Sequence, residues 1–214
     1  MRYAFRIVNV FTVDGDRLSG NPLCVFEDAR DMSDTQMQAL ARQMNLSETT
    51  FVLPSDKVTA HVRIFTPGFE MPFAGHPTLG TAHVVRSLRG LDRVAFEMKA
   101  GIVEVTSRGD TWTLRAAKPP ATRPVSATRA ELAQMLSLPA NAVSDEPLWV
   151  NTGVEQLVIP VGSPEHVRAA TPVPELIEKH GFSETRDEAM AYVWAREGDH
   201  LLVRFFFTNH GAVI

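Results

Sequence analysis

The spacing of apolar residues along the chain changes repeatedly between the two-residue period of strands and the longer period of helices. In residues 60–66, for example, Val62 and Ile64 alternate with His61 and Arg63. Strands are predicted at residues 4–12, 23–26, 49–53, 60–66, 94–98, 102–106, 111–115, 157–161, 191–196 and 201–207. Helices are predicted at residues 34–44, 77–85, 130–136 and 173–180. This strand-rich mixture with separate helices predicts the α+β class.

A proline-rich segment divides the pattern into two halves. Residues 118–124, KPPATRP, carry three prolines in seven positions, which is typical of a linker. The sequence therefore predicts a first domain at residues 1–117 and a second domain at residues 125–214.

The two halves resemble each other weakly. NLSETTFVL followed by VRIF in the first half has a counterpart in GFSETRDEAMAYVW followed by VRFF in the second, which pairs Arg63 with Arg204. If the repeat is real, each half is a copy of the same unit; chance similarity between two α+β segments is the alternative. Counted on from Arg204, the chain stops before the counterpart of Gly75 and His76. The second domain is therefore expected to be incomplete and to lack its helix.

Composition and charge exclude several classes of protein. The net charge is −4 and 44% of the residues are hydrophobic, so nothing favours binding to nucleic acid or to an anionic membrane surface. The longest apolar runs, such as residues 189–195, fall far short of the ~20 residues that span a bilayer. The first residues lack the features of a signal peptide, so we expect a cytoplasmic protein.

The residues that bind metals and cofactors show no known pattern. Cys24 is the single cysteine, which excludes an internal disulfide and a thiolate zinc site. The seven histidines have no metal-ligand spacing, and no glycine pattern for phosphate or dinucleotide binding occurs. We therefore expect neither a metal nor a cofactor.

The stretch PFAGHPTLGTAHVV, residues 72–85, has the signals of a helix start. Pro77 suits the first helical position, and His76, held extended by the following proline, is the expected cap. Gly75 allows a ligand to approach closely, and the first amides, including that of Thr78, are expected to be unpaired. Such a helix end binds carboxylates. The alternative is that His76 merely caps a tight turn.

Glu48 lies between a predicted helix end and a predicted strand start, where site residues are common. Its sequence neighbours are uncharged, so no basic side chain nearby in sequence would favour its ionised form. A raised pKa and proton exchange near neutral pH are therefore expected. The alternative is an exposed loop glutamate.

Three segments, SGNPLCVF, NLSETTFVLP and VRIFTPGFEMPFAGHPTLGTAHVV, resemble the phenazine biosynthesis F (PhzF-like) protein family. The resemblance implies the diaminopimelate-epimerase-like fold: two domains, each a β-barrel-like sheet around a central helix, with the active site in the cleft between them. It also implies a homodimer and an isomerase or epimerase that shifts a proton on a small carboxylate-bearing substrate without a cofactor.

By this resemblance Glu48 is the catalytic acid/base and His76 is the catalytic histidine of the GHP motif. Gly75 contributes an amide to the substrate pocket, and Thr78 is assigned with it to substrate binding. The family's second-domain motif, similar to E-D-P-A-T-G-S-A, does not occur, so the chain is expected to be truncated at its C-terminus. The competing hypothesis is a catalytically impaired member that acts as a binding or regulatory protein.

A two-cysteine amino-acid racemase shares the implied fold and is a further alternative. It needs one thiol from each half, and the first thiol position corresponds to Ala74 in this chain. Cys24 instead lies in a predicted strand, where it is expected to be a small buried hydrophobic residue.

Overall fold

A computed structural model describes residues 2–209 and 212–213, which form two compact units at residues 1–119 and 120–214. Each unit has its own sheet, and the units are described separately. The elements of the first unit are β1 Phe5–Val10, β2 Asn21–Phe26, α1 Asp34–Met44, β3 Glu48–Leu53, β4 Ala60–Phe65, β5 Glu70–Met71, α2 Gly75–Arg89, β6 Arg93–Met98, β7 Gly101–Arg108 and β8 Thr111–Arg115.

The sheet of the first unit has the strand order β1-β2-β3-β4-β6-β7-β8, with β5 paired to β4. Helix α2 packs against β1, β2, β3, β6 and β8, and therefore contacts both ends of this order. The sheet thus curls around α2. Apolar side chains of the helix, including Ala82, Val84 and Val85, are buried against strand residues such as Leu23 and Phe96.

Strand β2 is buried on both faces, which explains its unbroken apolar run. Leu23 belongs to the core under α2, whereas Cys24 belongs to a second core under α1 that includes Phe51. Helix α1 begins with a capping box in which the Ser33 hydroxyl accepts from the Gln36 amide and the Gln36 side chain accepts from the Ser33 amide. The predicted bounds of this helix, residues 34–44, are confirmed, and Ser33 and Asn45 are its caps.

The second unit has a sheet of the order β15-β14-β13-β11-β10-β9, with β12 paired to β13. Its core joins the sheet to the short helices through residues that include Leu132, Ile159, Ile177 and Val193. The elements of this unit are β9 Ala121–Pro124, α3 Arg129–Met135, β10 Leu148–Asn151, β11 Glu155–Pro160, α4 Pro164–Ala169, α5 Pro174–His180, β12 Phe182–Ser183, β13 Glu188–Glu197, β14 His200–Asn209 and β15 Ala212–Val213.

The two units share a sequence of strand pairings, as the weak repeat predicts. In the first unit β1 pairs antiparallel with β2, β2 parallel with β3, and β3 antiparallel with β4. Strands β10, β11, β13 and β14 repeat these three relationships in the second unit. Arg63 on β4 and Arg204 on β14 each lie over the ring of a phenylalanine two positions further along, Phe65 and Phe206. Arg63 and Arg204 therefore occupy equivalent positions in the two units, as the weak repeat predicts.

The S-E-T correspondence within that repeat is wrong. Phe51 pairs with Arg63 across β3 and β4, and Val193 pairs with Arg204 across β13 and β14. The residue three positions before Val193 is Met190, so the buried Met190 occupies the position of Glu48. The second S-E-T lies instead in β12 and the turn after it. In the first unit S-E-T runs directly into β3, whereas in the second unit additional residues separate S-E-T from β13. A comparison of letters without the strand register does not detect these additional residues.

The predicted linker at residues 118–124 also needs correction, because residues 121–124 form strand β9, which pairs antiparallel with β10. Proline is tolerated here because β9 is the last strand in its order, and prolines within sheets occur mainly on such edge strands. The prolines indicated a linker, and composition could not show that residues 121–124 have a strand partner.

The α+β class is confirmed by these sheets and their few helices. The expectation that the second domain stops before a central helix concerns the chain end, where residues 210, 211 and 214 lie outside the described residues. Among the residues that the structure describes, no helix combines the length and apolar character needed to cross a membrane.

Candidate active site

Glu48 and His76 form a hydrogen-bonded pair at the point where β3 and α2 begin. His76 Nδ1 lies 2.9 Å from Glu48 Oε2, and the two side chains are 9% and 17% exposed. The two residues are far apart in sequence, and the packing of α2 against β3 brings them together. Two of the predicted site residues therefore meet in a partly buried place that solvent can still reach.

Helix α2 begins earlier than predicted. Its cap is Ala74, with extended backbone at φ −152° and ψ 144°, and no side chain caps the helix end. His76 is therefore a residue of the first turn, not the cap. Pro77 is tolerated in this turn because the carbonyl that its ring would meet, four residues back, lies outside the helix. The first amides of α2 have no acceptors within the helix, which gives this end a partial positive charge.

Gly75 has space around it. A Cβ atom added at Gly75 would lie 3.9 Å from its nearest neighbour, Leu114 Cδ2, which is an ordinary van der Waals contact. Its φ angle is not in the left-handed region. Neither packing within the described residues nor backbone conformation therefore requires glycine here, so close approach of a bound molecule remains a sufficient reason.

The predicted substrate-binding role of Thr78 stays a prediction, and both hydrogen-bond donors of this residue are engaged within the protein. Its side chain is fully buried, its hydroxyl donates to Ala74 O at 2.6 Å, and its amide donates to the same oxygen at 3.3 Å. Both donors are thus used inside the helix. Because α2 starts at Gly75, the unpaired amides belong to earlier residues than the sequence indicated.

Asn21 is a neighbour of the pair that the sequence analysis missed. Its backbone oxygen lies 3.1 Å from His76 Nε2, and its side-chain Oδ1 accepts from the Ser47 hydroxyl at 3.2 Å. Asn21 belongs to the SGNP segment, whose composition by itself indicates no more than a turn. The SGNP motif, residues 19–22, was the one signal that could have indicated this position. The contact itself joins residues 55 positions apart, so the sequence alone does not show it.

A second polar link joins β3 to α2 behind the pair. The hydroxyls of Thr50 and Thr81 are 2.8 Å apart and fully buried, and Thr81 also donates to Pro77 O at 2.7 Å. Thr50 points to the same face of β3 as Glu48, because side chains two positions apart share a face. This link holds the strand and the helix in the register that the Glu48–His76 contact requires.

Phe11 flanks the pair on the other side. Its ring centroid is 6.2 Å from that of His76, its side chain is largely exposed, and its φ of 64° is unusual for an aromatic residue. An apolar side chain in such a strained conformation often accompanies a functional site. No sequence pattern indicated this position.

The pKa of Glu48 differs from the sequence expectation. Burial raises it, but the hydrogen bond and the charge of His76, with a smaller contribution from the nearby Ser47 side chain, outweigh burial and lower the pKa of Glu48 below its ordinary value. The expected raised pKa is therefore wrong. Uncharged sequence neighbours were a poor guide, because the dominant partner comes from another element.

Other nucleophiles and metal ligands are not assembled in the described residues of the chain. Cys24 is fully buried, and burial raises the pKa of its thiol to about 11. Its side chain lies in the core under α1, on the opposite sheet face from Glu48. No group of three or more histidine, cysteine, aspartate or glutamate side chains with metal-site geometry is found among these residues.

The family model for phenazine biosynthesis-like proteins matches residues 8–213 of this chain. The chain belongs to this family. Its relatives include an uncharacterized isomerase of Pasteurella multocida, which is 34% identical over 99% of this chain and 72% of that protein. The trans-2,3-dihydro-3-hydroxyanthranilate isomerase of Pseudomonas aeruginosa is 48% identical, over 46% of this chain and 36% of that enzyme. Much of the enzyme's own length therefore lies outside this alignment.

Solved structures support the same membership in the phenazine biosynthesis-like family. A PhzF-family protein of Bacillus anthracis matches with a TM-score of 0.78 and 26% identity, over 96% of this chain and 72% of that one. A hydroxyproline epimerase of Agrobacterium vitis matches with a TM-score of 0.54 and 13% identity, which shows a shared fold alone. The predicted family, fold and enzyme class, an isomerase, are confirmed at this level.

Proposed function

We propose that the chain is a cofactor-independent isomerase that moves a proton between carbon atoms of a small carboxylate-bearing substrate. Glu48 is the acid/base in this proposal, and His76 is its partner. The observation that carries it is the 2.9 Å contact between these two side chains beside the uncapped start of α2. An expected homodimer in the cytoplasm, with neither nucleic acid nor membrane as partner, is part of the same proposal.

Each residue has a physical role in the proposed reaction. The lowered pKa of Glu48 keeps it ionised at neutral pH, which is the state that a base needs in order to accept a proton from carbon. The same carboxyl then returns a proton to another carbon of the substrate, so no net proton is consumed. The first amides of α2 and the space at Gly75 are suited to a substrate carboxylate or to the negative charge that develops on it.

The isomerases of this family suggest the test substrate. One relative is named for trans-2,3-dihydro-3-hydroxyanthranilate, an amino acid whose carboxylate fits the proposed binding end of α2. We therefore propose small cyclic carboxylates as the substrate class and this compound as the first probe.

Glu48→Gln tests the proposal because it keeps the size of the side chain but removes its basic oxygen. The measurement is deuterium incorporation from solvent into the probe, followed by NMR with purified protein. Exchange should fall by about 10²–10⁴-fold, the usual contribution of a general acid or base. Glu104→Gln, at an exposed ion pair with Arg93, is the matched control and should exchange at the rate of the parent protein.

Circular dichroism should report the same fold for both variants. If the parent protein binds the probe and exchanges no deuterium, the competing hypothesis of a binding or regulatory protein is favoured. If Glu48→Gln exchanges as fast as the parent, the role assigned to Glu48 is wrong.

A further inference from the structure

The imidazole of His76 has a hydrogen-bond acceptor at each nitrogen. Nε2 is 3.1 Å from the backbone oxygen of Asn21, and Nδ1 is 2.9 Å from Glu48 Oε2. A backbone carbonyl has lone pairs and no hydrogen, so its contact with Nε2 is a hydrogen bond only when Nε2 carries the hydrogen. A carboxylate likewise only accepts, whereas a protonated carboxyl can donate to Nδ1.

We infer that Asn21 is a positioning residue of this site: its carbonyl keeps a hydrogen on His76 Nε2, so that a single proton is shared between His76 Nδ1 and Glu48 Oε2. This inference rests on the proposed function and deepens it. A ring held at both nitrogens neither turns over nor exchanges tautomers. Glu48 Oε2 is therefore engaged, and Oε1 is the oxygen that His76 leaves for the substrate proton.

The SGNP segment explains how the carbonyl is held in place. A Cβ added at Gly20 would lie 2.4 Å from Val10 O, so the chain passes close to the end of β1 only because residue 20 is glycine. Pro22 restricts the preceding residue, Asn21, to extended backbone. Asn21 then pairs with Val10 as the first residue of β2. Three consecutive residues of the motif thus set the direction of one carbonyl group.

The side chain of Asn21 adds a second connection to the same site. Its Oδ1 accepts from the hydroxyl of Ser47, the residue before Glu48. The backbone of Asn21 therefore contacts the histidine of the pair, and its side chain contacts the strand start that carries the glutamate. The SGNP segment, residues 19–22, therefore does more than form a turn, because its Asn21 contacts both His76 and the residue before Glu48.

Nitrogen-15 NMR of protein labelled in its histidine rings tests the inference without any substrate. The chain has seven histidines, and the signals of His76 are assigned by their loss in His76→Asn. We expect Nε2 of His76 to keep the chemical shift of a protonated nitrogen from acidic to mildly alkaline pH, while only Nδ1 changes. His83, which lies on the exposed side of the same helix with its ring against Trp112, is the internal control for the effect of pH on the spectrum.

Two variants separate the backbone from the side chain of Asn21. Gly20→Ala must displace the chain beside Asn21, and we expect the Nε2 shift of His76 to move toward that of an unprotonated nitrogen as the pH rises. Asn21→Ala retains the carbonyl and should keep Nε2 protonated. Loss of the Nε2 hydrogen in the parent protein overturns the inference, and this spectrum decides the matter whether or not Gly20→Ala folds.

The outcomes for the inference and for the proposed function are distinguishable. A parent protein with protonated Nε2 that exchanges no deuterium into the probe retains the positioning role and loses the proposed reaction. A parent protein that exchanges deuterium while Nε2 is unprotonated at alkaline pH retains the reaction and loses the role of Asn21. A folded Gly20→Ala protein with an unchanged Nε2 shift contradicts the role given to the SGNP segment.

Discussion

Glu48 is subject to two opposing effects on its charge. Burial disfavours the carboxylate, whereas the hydrogen bond and the charge of His76, with a smaller contribution from the nearby Ser47 side chain, favour it, and the net result is a lowered pKa. A carboxyl with a lowered pKa stabilises the fold above its unfolded-state pKa, and this stabilisation is lost as the pH falls through the folded-state value. The same interaction thus keeps Glu48 ionised at neutral pH, which the proposed reaction requires, and contributes to the stability of the first unit.

Replacing His76 with alanine should raise the pKa of Glu48, because burial raises this pKa and the substitution removes the hydrogen bond and charge that lower it. The change should also destabilise the protein by about 1–3 kcal/mol at neutral pH, the usual cost of removing a partner from a buried charged group. Carbon-13 NMR of the Glu48 carboxyl measures the first effect, and urea unfolding measures the second.

His83→Ala is the matched control for this prediction, because His83 lies on the same helix and packs its ring against Trp112 instead. Its Glu48 titration should equal that of the parent protein. A Glu48 pKa that stays the same or falls in His76→Ala would show that the hydrogen bond does not stabilise the carboxylate.

Helix α2 contains two glycines, and the surroundings of each explain the absence of a side chain in a different way. At Gly80 an added Cβ would lie 2.5 Å from Leu23 Cδ2 and 2.8 Å from Val10 Cγ2, so glycine lets the helix approach the sheet closely. At Gly75 the space is open, with Leu114 as its nearest neighbour. Gly80 therefore allows the helix to pack closely on the sheet, whereas Gly75 leaves space at the N-terminal end of the helix.

Gly80→Ala should destabilise the protein by about 1–3 kcal/mol because of overpacking. This loss should appear although alanine favours helices over glycine by about 1 kcal/mol. Gly75→Ala should change the unfolding free energy little but weaken binding of the carboxylate probe. Urea unfolding and calorimetry on both variants make the comparison. Equal binding by Gly75→Ala and the parent protein would argue against a ligand at this end of the helix.

The two units each bury a carboxylate against an arginine. Glu70 is bound by Arg63 in the first unit, and Glu155 is bound by Arg123 in the second, with side-chain exposures of 12% and 8% for the two glutamates. The hydrogen bond from Arg123 lowers the pKa of Glu155 to about 2 against the opposing effect of burial, with further hydrogen bonds from Ser183 and Thr185. We therefore expect the acid stability of the whole molecule to depend on such pairs.

Glu155→Gln should reduce the unfolding free energy by about 1–3 kcal/mol at neutral pH, because a buried charge-assisted network loses its negative charge and one of its two acceptor oxygens. The sign of the pH dependence follows from the lowered pKa. The contribution is complete above the ordinary glutamate value of 4.5 and is lost as the pH falls through about 2. Urea unfolding over this range is the measurement.

Glu104→Gln removes an exposed ion pair with Arg93 and is the control, for which about 0–1 kcal/mol is expected. If both variants lose the same stability, or if the loss in Glu155→Gln is independent of pH, then the Glu155 network does not govern acid stability.

Local sequence was sufficient for much of this molecule. The alternation in residues 60–66 and the capping signal at Ser33 depend on neighbouring residues, which is why strand β4 and helix α1 were predicted with nearly their observed bounds. The resemblance of short motifs was sufficient for the family, and it directed attention to Glu48 and His76. These features are encoded within one strand, one turn or one motif.

Contacts between distant segments decided the rest. Strand β9 exists because β10 pairs with it, although its composition is that of a linker. The pKa of Glu48 and the role of Asn21 depend on His76, which reaches both through the packing of α2 on the sheet. Charge, hydrogen bonding and strand register are properties of atoms that are close in space, so they follow from the amino-acid order only after folding has brought those atoms together.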